Sequence, residues 1–185
     1  MDNADENLMI RPIQVADLPE LWALSYGPKA DLEWLKYNGP YFEDPLQDWQ
    51  TYREGWGQKA LDNPLRRGIQ WQGELVGEVS AYWSDGDLRQ WLEIGIVLYD
   101  RQCCGQKIGE RALKLWLTEL FNRFDYLPHI GFTTWSGNPG MMRLGDKVGM
   151  QKEGVIRQVR YWQGRYYDSV KYGLLRAEWQ QWQTS

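Results

Sequence analysis

One stretch near the middle of the chain limits its topology more than any other. Trp91–Tyr99 (WLEIGIVLY) has the β-branched and aromatic content of a strand. A glycine-bearing loop, Gly105-Gln106-Lys107-Ile108-Gly109, follows it and leads into a helix reaching about Arg123. Ile108, Ala112, Leu115 and Trp116 recur there at helical spacing. His129–Trp135 then reads as a second strand. Strand, loop, helix and strand in that order make a crossover that lays two strands parallel. Elsewhere the strands come in hairpins. Gln72-Gly73 joins Gly68–Trp71 to Leu75–Trp83, Asp85-Gly86 turns the chain toward Trp91, and Gln163-Gly164 joins Gln151–Trp162 to Tyr166–Leu174.

The flanking elements complete the outline. Met9–Gln14 is an opening strand, and Asp17 is placed to cap a helix to about Tyr26. Gly27-Pro28, Gly39-Pro40 and Asp44-Pro45 break up residues 27–48, leaving a short helix at Leu32–Tyr37. Further helices are expected at Trp49–Leu61, from Asn138-Pro139 to Gly149, and at Arg176–Gln183. The expected fold is α+β: one domain over residues 9–185, behind a polar extension 1–8, with a mostly antiparallel mixed sheet of about seven strands flanked by helices.

With 185 residues the chain can bury a core without covalent staples, and its 43% hydrophobic and 25% charged residues exclude disorder, collagen and coiled coil for the whole. A net charge of −4 argues against a nucleic-acid footprint. Its distribution is uneven: residues 1–64 hold 12 acids and 5 bases, the rest 13 acids and 16 bases. Cys103 and Cys104 are neighbours and build no disulfide framework. The acidic start MDNADENLM is no signal peptide, and there is no apolar run of membrane-spanning length, so a cytoplasmic, non-membrane protein is expected. The single histidine, His129, speaks against a His-based metal site or a Ser–His triad, so no metal is expected.

The loop Gln102–Gly109 is neither a Walker loop nor a dinucleotide fingerprint; alone, it is either an ordinary tight turn or an anion-binding loop. Its surroundings carry more. "EIGIVLYDRQCCGQKIGERAL", "NPGMMRLGDKVGMQKEGVIRQ", "YYDSVKYGLLRAEW" and "MIRPIQVADLPELWAL" stand in the order of four stretches of the GNAT superfamily of acyl-CoA-dependent N-acetyltransferases. The chain resembles the branch of ribosomal-protein N-terminal acetyltransferases (the RimJ/RimL type) and related amine acetyltransferases. Residues 27–66 match nothing in that pattern.

The resemblance implies acetyl-CoA as co-substrate and transfer of its acetyl group to a primary amine by direct attack. It implies that Ile96, Val97 and Leu98 pair with the pantetheine arm. Gln102, Cys104, Gly105, Gln106, Lys107, Ile108 and Gly109 would hold the pyrophosphate, and Asn138 would contact the arm. Central strands splaying after Val97 would admit the thioester, and a backbone N–H near Val97 or Leu98 would hold the oxyanion. Lys107 stands where relatives have Gly or Ala, so that position need not have a positive φ.

Glu93 is the candidate base, directly or through water, against the alternative of a structural strand carboxylate. The usual acids are missing: Gly145 and Met141 occupy the Tyr and Ser positions, leaving Ser136, a loop tyrosine, water or unassisted departure. Asp31, Glu33, Trp34 and Tyr82 are the candidate acceptor-binding residues, suited to a small cationic amine or a protein N-terminus. A non-catalytic acyl-CoA sensor or scaffold of the same fold is the other reading, and exposed strand edges leave room for a homodimer.

Overall fold

The computed structural model describes residues 7–99, 103 and 106–182. Among the described residues there are seven strands: β1 (Leu8–Arg11), β2 (Arg66–Trp71), β3 (Glu74–Trp83), β4 (Leu92–Leu98), β5 (His129–Trp135), β6 (Gln151–Trp162) and β7 (Arg165–Leu175). They form one sheet in the order β1-β2-β3-β4-β5-β7-β6. Every neighbouring pair is antiparallel except β4 and β5, which the crossover helix α4 (Ile108–Arg123) joins in parallel. The hairpin turns form as their residues require. Gln72 and Gly73 both have positive φ, as do Gln163 and Gly164, the conformation of a two-residue turn whose twist matches its strands.

The helices are α1 (Leu18–Ser25), α2 (Trp49–Tyr52), α3 (Gln58–Ala60), α4, α5 (Pro139–Lys147) and α6 (Arg176–Trp182). One π turn, Arg53–Gly57, links α2 to α3, so the single helix expected at Trp49–Leu61 is interrupted. Leu32–Lys36 is a 3-10 turn.

Two apolar layers cover the sheet. On one face α4 sets Ile108, Ala112, Leu113, Trp116, Leu117, Leu120 and Phe121 against Val79, Ala81, Ile94, Ile130 and Phe132. Leu115, expected on that buried side, is 43% exposed; Leu113, Leu117 and Leu120 complete the seam instead. On the other face α1 and α2 pack Leu18, Leu21 and Tyr52 with Ile13 and Tyr99.

The first strand stops at Arg11, because Pro12 has no N–H to give a ladder. Asp17 then does a different job from the expected helix cap. It is 7% exposed and its side chain makes no cap bond; its carboxylate accepts Arg11 Nη1 and Nη2 at 2.7 and 2.9 Å and the Gln14 amide at 2.7 Å. These hydrogen bonds, Arg11 foremost, hold the Asp17 carboxyl below the usual carboxylate range. A lowered folded-state pKa adds stability that is present above the unfolded value and is lost as pH falls through the folded one. Asp17→Asn is therefore expected to cost about 1–3 kcal/mol at pH 7 by urea denaturation, with the difference from wild type shrinking toward pH 3.

Candidate active site

The site follows from how β4 divides its hydrogen bonds. The Ser84 amide donates to the Trp91 carbonyl and the Tyr99 amide to the Val76 carbonyl, fixing the phase at both ends of an unbroken β3–β4 register. Antiparallel bonding alternates, so Glu93, Gly95 and Val97 turn their backbone groups to β3, and Ile94, Ile96 and Leu98 turn theirs the opposite way. In that direction β5 pairs only at Leu92↔Ile130 and Glu93↔Gly131. The strands part after Glu93, four residues earlier than expected. The backbone groups of Ile96 and Leu98 consequently face a gap.

A cavity opens on each side of this gap. One, of about 430 Å³, lies beside α4 and α5 and is lined by Leu98, Cys103, Lys107, Ile108, Gly109, Arg143 and Lys147, among others. The other, of about 480 Å³, lies under the N-terminal segment, with Tyr26, Tyr41, Trp56, Asp44, Arg66 and Glu78 in its wall. Both walls include Trp34, Tyr37, Ile96, Val97, Asn138 and Met141. Asn138 caps α5 by accepting the Met141 amide at 3.0 Å. Its Nδ2 and Trp135 Nε1 donate to the Tyr37 carbonyl at 3.3 and 3.0 Å, tying the loop over the junction.

Glu93 is 3% exposed at the point where the strands part. Tyr82 Oη donates to it at 2.7 Å from β3, Thr133 Oγ1 at 2.8 Å from β5, and Lys171 Nζ at 3.2 Å from β7. Lys171 also bonds Thr133 Oγ1 at 2.8 Å. Among the described residues neither cavity wall includes Glu93 or Tyr82; Thr133 is in the wall of the larger cavity.

The carboxylate that does reach that wall is one the sequence did not single out. Glu78 on β3 lies directly opposite Val97, on the face shared by Ser80, Gly95 and Glu93. It is 9% exposed, with Oε1 3.6 Å from Arg66 Nη1 and an enclosed Oε2 that has no hydrogen-bond partner among the described residues. Burial pushes its carboxyl up to about 7, against the pull of Arg66 and of the Tyr99 hydroxyl.

Other expected residues fall elsewhere. Asp31 accepts the Glu33 amide at 3.0 Å and Glu33 pairs with Lys36, so these local contacts occupy both, and neither is in a cavity wall. Trp34 is in both walls, with its Nε1 donating to the Ser25 carbonyl at 3.1 Å. Gln106 precedes α4 and is in neither wall. Gln102, Cys104 and Gly105 lie outside the described residues. Ser136 Oγ accepts the Asp168 amide at 3.0 Å, away from both cavities. Arg160 on β6 stacks on Tyr41, its guanidinium 4.9 Å from the ring centroid.

The family model described as an acetyltransferase (GNAT) domain matches residues 7–151. The chain belongs to the GNAT acetyltransferase family. It is 26% identical over 182 residues, 95% of either chain, to YdaF of Bacillus subtilis, provisionally described as a ribosomal N-acetyltransferase. In fold it is similar to a Vibrio cholerae spermidine N-acetyltransferase solved with CoA and spermine (20% identity, 95% and 99% of the two chains, TM-score 0.74). It is equally similar to a GNAT-family acetyltransferase from Bacillus anthracis (19% identity, 93% and 96% covered, TM-score 0.74). As a GNAT protein the chain is an N-acetyltransferase with its own departures from the pattern.

At Gly145 a Cβ would lie 2.9 Å from both Phe132 Cζ and Tyr172 Cδ1, so that stacked pair occupies the space a side chain would need. Met141, in place of serine, puts a thioether at the junction of the cavities. Lys107 nonetheless has a φ of +58°, the left-handed conformation that suits glycine, immediately before α4. Lys107→Gly is expected to raise stability by about 0.5–1 kcal/mol, since relief of that strain exceeds glycine's entropy in the unfolded chain.

Proposed function

We propose that the chain transfers the acetyl group of acetyl-CoA to a small cationic primary amine by direct attack in a ternary complex. The observation that carries this reading is the pair of cavities meeting at the gap between β4 and β5. One takes the cofactor, the other the acceptor, and the reacting atoms meet between them.

The α4–α5 groove fits CoA. Lys107, Arg143 and Lys147 suit its phosphates, and the α4 N-terminus adds a favourable dipole. The backbone groups of Ile96 and Leu98 suit the amides of the pantetheine arm, which would extend β4's ladder where β5 has left it. Of the amides expected to hold the oxyanion, the alternation favours Leu98, because Val97 is turned to β3. The loop Gln102–Gly105 keeps its assignment to the pyrophosphate from the family pattern.

The larger cavity suits a cation. Its wall holds the rings of Tyr26, Trp34 and Tyr37 and the carboxylates of Asp44 and Glu78, and each good cation–π contact contributes about 0.5–2 kcal/mol. The spermidine acetyltransferase of the same fold takes an acceptor of this chemistry. A basic protein N-terminus is the competing acceptor, on the likeness to YdaF. Glu93, committed to Tyr82, Thr133 and Lys171, is assigned the positioning of Thr133, which is in the wall of the larger cavity. Tyr37, the tyrosine in both walls, is assigned as the donor that helps CoA thiolate leave; at a thiol pKa of about 8.5 that help is modest near neutral pH. The cytoplasm is assigned as the site of the reaction, in keeping with acetyl-CoA as co-substrate, and the exposed edge strand β6 is the surface assigned to a homodimer.

Thiol release from acetyl-CoA against a panel of polyamines, aminoglycosides, basic peptides and neutral primary amines tests the reading. Polycationic small amines are expected to turn over at least tenfold faster in kcat/KM than neutral ones, and Asp44→Asn is expected to narrow the gap. Equal rates on neutral amines would remove the cationic acceptor. CoA binding with no turnover on any amine would establish the sensor reading, which the lack of a donor at Met141 and Gly145 favours. Tyr37→Phe is expected to lower kcat by about tenfold with little change in KM for acetyl-CoA, at the low end of what one proton-transfer group contributes.

A further inference from the structure

We propose that Glu78 is the general base of the transfer, taking the proton from the acceptor's ammonium before attack. This rests on the acetyl-transfer reading above and adds to it the residue that activates the nucleophile.

Position is the first argument. Glu78 and Val97 form a hydrogen-bonded antiparallel pair, whose Cα atoms stand about 5.5 Å apart. Its side chain leaves the sheet on the acceptor face, next to the residue whose neighbours Ile96 and Leu98 border the gap. An amine in the larger cavity thus meets Glu78 on the side from which it must approach the thioester. Glu93 lies two pairs further along the same face, behind Gly95 and Ser80, with Tyr82, Thr133 and Lys171 on it.

Partners are the second argument. Arg66 is the cation beside Glu78, and at 3.6 Å from Oε1 it makes a loose contact on one oxygen only. Arg66 also stacks on Trp56, 5.5 Å from the ring centroid. Among the described residues Oε2 is enclosed without a hydrogen bond of normal length, and the Tyr99 hydroxyl pulls on the carboxyl less than Arg66 does, a costly arrangement for a carboxylate that a bound ammonium would relieve. The groups facing Glu78 are Arg66 from β2, Tyr26 after α1, Tyr52 from α2 and Tyr99 after β4. Burial drives all three of these tyrosines above their ordinary range, so they stay neutral and do not compete for the proton near pH 7. Burial likewise brings the Glu78 carboxyl to about 7, where a base divides its time between accepting and releasing a proton.

The step balances as follows. Glu78 carboxylate removes one proton from R–NH3⁺, giving R–NH2 and the carboxylic acid. The nitrogen lone pair forms the C–N bond as the C–S bond breaks. The departing sulfur takes its proton from the Tyr37 hydroxyl, and the second proton leaves the nitrogen to restore Tyr37, giving amide and CoA thiol. Glu78 then returns its proton to solvent. No oxidant or further reactant is needed.

The test is the pH dependence of kcat/KM for wild type, Glu78→Gln and Glu93→Gln with the best amine of the panel. The wild-type profile is expected to rise with pH up to about 7. Glu78→Gln should lose that rise and fall at least 10²-fold in kcat, while CoA affinity, measured calorimetrically at the groove on the other face, stays within twofold. Glu93→Gln should keep the rise at reduced amplitude. Methoxyamine, a weakly basic acceptor already deprotonated at neutral pH, should recover most of the loss in Glu78→Gln, a rescue that a misfolded variant would not give. A Glu78→Gln enzyme with an unaltered profile, or a rise that disappears in Glu93→Gln instead, overturns the assignment and leaves the acetyl-transfer reading standing. A wild type that binds CoA and acetylates no amine removes both.

Discussion

Beyond Glu93, β4 keeps its hydrogen bonds to β3 and gives up those to β5, leaving the backbone groups of Ile96 and Leu98 facing a gap. Both strands are held by their other neighbours. β3 binds β4 from Gly77 to Trp83, and β7 binds β5 along its whole length, from His129↔Leu175 to Trp135↔Ser169. The parting is therefore a stable division of the sheet rather than a frayed edge. Trp135 keeps the far end of β5 apart: its ring meets Tyr41, Trp162 and Tyr167, and its indole N–H holds the Tyr37 carbonyl. Backbone groups of a half-buried strand that face no partner strand are costly unless something satisfies them. Here that requirement coincides with a groove whose shape and charge suit a chain of amides ending in phosphates.

The division also sorts charge. The uneven sequence balance, acidic before residue 65 and basic after it, corresponds only loosely to the two cavities. Lys107, Arg143 and Lys147 do line the groove, and Asp44 comes from the acidic segment. The carboxylate deepest in the acceptor wall, Glu78, comes from the other half of the chain. Asp31 and Glu33, at the centre of the acidic segment, are engaged by the 3-10 turn they build. Local charge density is thus a poor guide to what reaches a cavity, because short-range caps and i,i+3 pairs compete for the same carboxylates.

Most of the architecture was legible in the sequence. The turn pairs Gln72-Gly73 and Gln163-Gly164 demand positive φ, and the crossover demands a parallel pair; strand bounds followed to within a few residues. Local chemistry that depends on distant partners was not legible. Asp17 was expected to cap α1, but Arg11 six residues away offers a bidentate partner that outcompetes an amide. Lys107 was not expected to need the left-handed region, yet the geometry at the start of α4 imposes it. Glu78 is one carboxylate in an ordinary strand pattern. Its significance comes from Arg66, Tyr26, Tyr52 and Tyr99, which no window of sequence brings together.

Glu78 and Glu93 are carboxylates on one face of one sheet, four rungs apart along neighbouring strands, yet their surroundings differ in kind. Glu93 joins β3, β5 and β7 through a hydroxyl, a second hydroxyl and an ammonium, at the place where the sheet divides. Removing its charge would leave Lys171 with Trp91, 5.1 Å from its ring centroid, and the Thr133 oxygen. A group so committed anchors the division and is poorly placed to exchange protons with a ligand. Glu78 has tyrosines around it, one guanidinium loosely held at 3.6 Å, and an enclosed oxygen without a hydrogen bond of normal length among the described residues. Pairs of carboxylates whose environments differ in this way divide structural and proton-transfer work between them. The gap in the sheet needs both: one carboxylate to hold the strands where they part, and one that can take up a proton beside the atoms the gap exposes.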